Sequence, residues 1–196
     1  MFRISPATLP DLPGAYRVCL LTGDSGRDGS PLYQDPDLLG HVYVGPYIVG
    51  QPGTELVLVD EFGVAGYLLA ADDSRAFEAW ADAEWWPPLR DRYPLRNDGS
   101  LDAELISIIH APPRAPDPVM SDYPAHLHID LAERARGQGL GRALIERLLV
   151  DLRARGVPGV HLDVAADNLN AAAFYRHLGF QGLAPYPESL MGIRLD

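Results

Sequence analysis

Apolar and polar residues alternate at period two from His126 to Leu131 and again from Val160 to Val164. Between them Leu140, Leu144, Leu148 and Leu152 recur every four residues, with Ile145 and Leu149 widening the stripe. Period two marks a strand, because successive side chains point to opposite faces; a stripe at three to four marks one face of a helix. The pattern predicts a strand over 126–131, an amphipathic helix over 139–155 ended by Gly156 and Pro158, and a strand over 160–164. A second helix is expected from Asn168 to Leu178 with Gly179 as its C′ residue, and two short strands near 180–186 and 190–195.

Upstream the pattern is less regular. Phe2 to Ser5 reads as a short strand, followed by a helix that starts after Pro10 or Pro13 and carries Val18 and Leu21. Residues 22–37 are rich in Gly, Asp, Ser and Pro and read as loop, and Asp37 is expected to cap a short helix through Leu38, Leu39, Val42 and Tyr43. Thr54 to Asp60 and Val64 to Ala70 form a hairpin around Glu61-Phe62-Gly63. Ser74 is positioned to N-cap a helix bearing Phe77, Trp80 and Trp85, stopped by Pro87 and Pro88. Within 87–124 only Leu105 to Ile109 is strongly apolar, read as a helix capped by Ser100 or Asp102.

Strand alternation has a chemical consequence. In 126–131 the apolar Leu127, Ile129 and Leu131 share one face, leaving His126, His128 and Asp130 on the other. The same split sets His161 and Asp163 against Val160, Leu162 and Val164. Central strands of an α/β sheet are normally apolar on both faces, so two strands with polar positions predict a polar-lined cleft. Asp130 is the first candidate for a general base, with His128 and Asp163 next; the alternative is a satisfied buried polar network. His126-x-His128-x-Asp130 has ligand types suited to zinc, but no further ligand set accompanies it, so no metal site is expected.

The run Arg134-Ala135-Arg136-Gly137-Gln138-Gly139-Leu140-Gly141 lies between strand and helix. Its glycines let the backbone approach a ligand and turn its amides to one point, at the positive end of a helix dipole. Arg142-Ala143 does not supply the Lys and Ser/Thr of a P-loop, and the glycine spacing is short for a dinucleotide fingerprint.

Arg136-x-x-Gly139-x-Gly141 between strand and helix resembles the acyl-CoA-binding motif of the GNAT acetyltransferase superfamily, and 168–180, from Asn168 through Phe174-Tyr175 to Phe180, resembles its second signature. Leu39 to Tyr47, Trp85-Trp86 and Tyr123-Pro124 with Ile129-Asp130 are similar to the acetyltransferase-like C-terminal domain of O-GlcNAcase and its free-standing bacterial relatives. The resemblance implies an α/β (α+β) fold: one domain over 1–196, a mixed sheet of about seven strands with helices on both faces, strands 4 and 5 parallel and splayed, and an insert near 72–124 between strands 3 and 4. It implies acetyl-CoA as cofactor. The pyrophosphate would lie on the amides of Gln138, Gly139, Leu140, Gly141 and Arg142, beside Arg136 and Gly137. The pantetheine would pair with Ile129, Asp130 and Leu131, whose amides would also polarise the thioester oxygen, and Asn168 would meet the pantetheine or adenosine arm. Tyr175 would stand near the sulfur as the acid. The implied reaction is direct attack by a primary amine on a small molecule or peptide. Because the animal domain lacks the glycine loop and is regarded as a pseudoenzyme, an inactive acyl-CoA- or peptide-binding module is the alternative.

Composition narrows the partners. The 196 residues carry 16 Arg, no Lys and 27 Asp+Glu, for a net charge of −11. A nucleic-acid binder needs a basic surface, so none is expected. Charge is uneven: 131–156 holds 6 Arg against 3 acids, while 1–130 holds 8 against 20 and 157–196 holds 2 against 4. The one basic segment coincides with the glycine loop and its helix. The acidic remainder suits a cationic acceptor, with Tyr43, Tyr47, Trp80, Trp85 and Trp86 as candidate pocket walls. Cys19 is the single cysteine and no apolar run reaches the roughly 20 residues of a membrane span, so a cytoplasmic monomer or homodimer is expected.

Overall fold

The computed structural model describes residues 1–165 and 167–195. Seven strands form one mixed sheet, in the order β1 (Arg3–Pro6), β2 (Gly53–Asp60), β3 (Gly63–Ala71), β4 (Ala125–Leu131), β5 (Gly159–Asp163), β7 (Leu190–Arg194) and β6 (Gln181–Gly182). Every pairing is antiparallel except β4 with β5. That parallel pair is held only at Ala125↔Val160 and His126↔His161. Beyond His126 the strands part, while β4 stays paired with β3 as far as Gly66↔Leu131. Gly66 permits this: a Cβ there would lie 2.4 Å from Leu131 Cδ2 and 2.8 Å from the Asp130 carbonyl oxygen.

Helices cover both faces. Leu68, Ala70 and Leu127 pack on one side under α8 (Leu140–Ala154) and α9 (Leu169–His177), where Leu144, Leu148 and Leu152 are fully buried. Tyr67, Leu69 and Ala71 pack on the other side under α1 (Leu12–Thr22), α2 (Leu38–Tyr43), α3 (Gly45–Gly50), α4 (Ser74–Trp80), α5 (Trp86–Arg92) and α6 (Leu101–His110). In the antiparallel register Tyr67, Leu69 and Ala71 stand opposite Asp130, His128 and His126. The polar face of β4 therefore looks toward these upstream helices.

The structure corrects several expectations. Asp73, not Ser74, caps α4, accepting from Arg75 N at 2.9 Å and Ala76 N at 3.1 Å. Pro87 and Pro88 begin α5 rather than ending a helix, since the first turn needs no donor from them; a π-helical turn, Ala81–Trp85, joins α4 to α5. Asp37 makes no side-chain cap on α2. Ser100 caps α6, accepting from Ala103 N at 3.1 Å, whereas Asp102 is buried and accepts from Gln34 N, Asp35 N and Arg96. Two short helices lie where the pattern assigns no element: α3, and α7 (Asp117–Asp122), with Pro46 and Pro118 in their first turns. The strand expected near 180–186 shrinks to two residues, β6.

Candidate active site

A cleft of about 1110 Å³ opens where β4 and β5 part. One wall is the glycine loop and the start of α8, the other is α9, and the floor is Ile129 to Leu131. Gly139 precedes α8 with φ +74°, a left-handed conformation that favours glycine, and a Cβ there would meet no atom within 4 Å. Gly137, Gly141 and Arg142 complete the loop lining. The residues fit a CoA: amides at a helix N-terminus for a pyrophosphate, Arg27, Arg136 and Arg142 for anionic charge, and an open strand edge for a pantetheine amide.

The loop residues divide their work. Arg136 donates from Nε to Leu131 O at 2.8 Å and from an Nη to Gly26 O at 2.6 Å, tying the α1–α2 connection to β4. The Gln138 side chain turns away from the cleft and donates to Arg134 O at 2.8 Å, bracing the loop. Asn168 caps α9, accepting from Ala171 N at 3.1 Å, and also lines the cleft. Ser25 and Gly26 join the lining, and Ser25 Oγ donates to Asp167 at 2.8 Å. This contribution was not foreseen, because 22–37 carries no periodic signal and reaches the cleft only through tertiary contacts.

Asp130 and Tyr175 wall the same cleft. Asp130 is half-buried, and burial raises its carboxyl to about 6 although Tyr67 donates to Oδ2 at 2.5 Å. Tyr67 is fully buried and was not picked out in the sequence; only the β3–β4 register reveals it. The Tyr175 phenol is pushed well up, by burial first and then by the Asp130 charge, and it forms no hydrogen bond with the described residues.

His128 and Asp163 do not share that cleft. With His126, His161, Tyr43, Tyr47 and Trp86 they line an adjacent cavity of about 730 Å³. Consecutive residues of β4 pass from one space to the other, His126 to His128 in the cavity and Ile129 to Leu131 in the cleft. Trp80 and Trp85 are not walls: Trp80 packs against Gly50, and Trp85 Nε1 donates to His41 O at 2.9 Å. Ser74 Oγ donates to Pro124 O at 2.6 Å, so it accepts from His126 Nδ1 at 2.7 Å, and His126 Nε2 then accepts from the Tyr47 hydroxyl at 2.6 Å. With both nitrogens so used, His126 has no lone pair for a metal or a proton. Burial lowers His126 well below the usual range, His128 to about 4, and His161 likewise in direction. Among the described residues no cluster of His, Cys, Asp or Glu is arranged to hold a metal ion, and no helix is long and apolar enough to cross a membrane.

The acetyltransferase (GNAT) family model matches residues 67–180, more than half of the chain, from β3 through the glycine loop to the end of the second signature. The chain belongs to the GNAT acetyltransferase family. Protein O-GlcNAcase of Rattus norvegicus is 27% identical over 183 residues, covering 91% of this chain and 20% of that protein. The chain thus spans about a fifth of the length of the O-GlcNAcases it matches. The crystal structure of SsHAT superposes with a TM-score of 0.89 at 36% identity, covering 100% of this chain and 98% of that one. The structure of yncA, a putative acetyltransferase from Salmonella typhimurium with its cofactor acetyl-CoA, shares the fold at a TM-score of 0.57 and 18% identity, over 100% of this chain and 95% of that one.

Proposed function

We propose that this GNAT protein moves an acetyl group from acetyl-CoA to a primary amine by direct attack. The observation that carries the reading is the pairing of Asp130 and Tyr175 in one cleft with opposite protonation: a carboxyl raised to about 6 and a phenol pushed far up. A base is most effective with a pKa near the working pH; the Tyr175 phenol stays protonated, so it hydrogen-bonds the sulfur and gives up its proton only as thiolate charge develops there. Acetyl-CoA, when bound, supplies an activated acetyl thioester.

The chain supplies the rest. The backbone amides of Ile129 and Leu131, which face the side where β5 has parted, orient the acyl group and polarise its oxygen. The glycine loop, from Gly137 to Arg142, binds the pyrophosphate. Asp130 takes a proton from the amine, directly or through water, as its nitrogen bonds the acetyl carbon. Tyr175 gives its proton to the sulfur as the carbon–sulfur bond breaks. The acceptor enters through the cavity lined by His128 and Asp163. We place the protein in the cytoplasm, where its cofactor acetyl-CoA is made and used.

The test is thiol release from acetyl-CoA with a broad amine panel. Asp130→Asn and Tyr175→Phe should each lower kcat while calorimetric CoA affinity stays within a few-fold, and Gly139→Trp should abolish binding. Acetyl-CoA binding with no thiol release from any amine would instead establish an acyl-CoA-binding module.

A further inference from the structure

We infer that the cavity beside the acyl site takes a small organic amine with an apolar body and no anionic group, drawn in as the ammonium by Asp163 before the free amine reaches Asp130. The inference rests on the acetyl-transfer reading and specifies its acceptor. The shape comes first. The cavity, at about 730 Å³, is within the size range of small-molecule sites. Tyr43, Tyr47, Phe77 and Trp86 form its apolar wall, and Tyr47 stacks on Phe77 with centroids 4.5 Å apart. The proline-rich segment 112–116 and the segment from Pro187 to Leu190 also line it. Arg114 in that segment reaches down to Asp82 and, at 3.8 Å, to Glu78. Pro112, Pro113, Pro116 and Pro187 in the lining offer no backbone N–H for a polypeptide acceptor to pair with, which favours a compact molecule.

Charge selects within that class. Arg114 is the single cation in the lining, and Asp82 and Glu78 already engage it. The three imidazoles of the lining resist protonation because burial disfavours their charged forms. A carboxylate or phosphate on the acceptor would meet no free positive charge. Asp163 is the opposite case: it is exposed, lies on β5 two residues beyond His161, and its carboxylate makes neither a hydrogen bond nor an ion pair with any described residue. An aromatic wall with one unpaired carboxylate at its edge suits an ammonium on an apolar stem, which gains from both the charge and the ring faces.

Phenethylamine, glutamate, glucosamine 6-phosphate and a lysine-containing peptide are the probes, assayed as acetyl acceptors and, with CoA-saturated protein, by quenching of tryptophan fluorescence. Phenethylamine should exceed each of the others in kcat/KM by about threefold or more, the scale of an exposed ion pair together with a cation–π contact. Asp163→Asn should raise its KM about threefold with little change in kcat, and Asp163→Glu should restore most of the loss. Preference for an anionic amine or for the peptide, or a KM indifferent to Asp163→Asn, overturns the inference. If phenethylamine quenches fluorescence in an Asp163-dependent way while no thiol is released, the acceptor class stands and the transfer reading fails.

Discussion

The Tyr67 hydroxyl donates to Asp130 Oδ2 at 2.5 Å across the β3–β4 register, from a side chain with no exposure to solvent. A donor to a carboxylate favours its charged form, so this bond holds the Asp130 pKa lower than burial alone would set it. Tyr67→Phe should therefore move the acid limb of the kcat/KM profile upward from near pH 6, at a stability cost of about 1 kcal/mol for the lost bond. The pH-rate profile decides: a limb that stays in place with only a lower plateau would show that Tyr67 does not act on Asp130.

Asp130 also couples charge to stability. Its carboxyl is raised from 3.8 to about 6 in the folded chain, so the folded state holds that proton more tightly than the unfolded one. The stability linked to the proton is complete below pH 3.8 and is lost as pH rises through about 6. Asp130→Asn removes the ionisation. Its melting temperature should gain on the parent chain between pH 5 and pH 8, and equal offsets at both values would refute the assignment.

Arg136 clasps Gly26 O and Leu131 O. Arg136→Ala should free the α1–α2 connection, and limited trypsin digestion should cut faster after Arg27, a well exposed residue beside that contact. CoA affinity should fall by about tenfold or more, since a charged donor and a positioned wall are lost together. Unchanged cutting with reduced affinity would leave Arg136 a phosphate ligand alone.

At Gly139, φ is +74°, and any side chain there is strained. Gly139→Val should lose about 1–2 kcal/mol of stability and weaken CoA binding, because a β-branched residue both disfavours this backbone and crowds the amide cradle. Differential scanning calorimetry with and without CoA separates the two effects.

Much of the C-terminal half was legible because short-range pattern and tertiary structure agree there. The four-residue leucine spacing marks α8, Asn168 caps α9 as its position suggests, and alternation along β4 separates the histidines from the leucines correctly. The upstream half was harder to read. Pro87 and Pro88 look like a stop in one dimension, but the preceding π turn makes them a start. Ser74 looks like a cap, yet its hydroxyl bonds Pro124 O and His126, partners 50 and 52 residues away. Tyr67 and Arg27 carried no local mark, since what they do depends on strand register and on a loop folding back. Composition placed positive charge at the glycine loop but not the Arg136 clasp, which uses two of that charge's donors within the protein.

The parting of β4 from β5 leaves a stretch of backbone, from Leu127 to Leu131, paired on the β3 side only. Inside a sheet such a gap is an unfinished ladder, and whatever fills it joins the folded state and not the unfolded one. The fold's stability then tracks the concentration of its filler, by about 2.7 kcal/mol at a hundred times the dissociation constant. If the filler is the acyl-CoA proposed above, heat resistance and protease lifetime of this chain should rise with its concentration, independent of any acetyl group being moved.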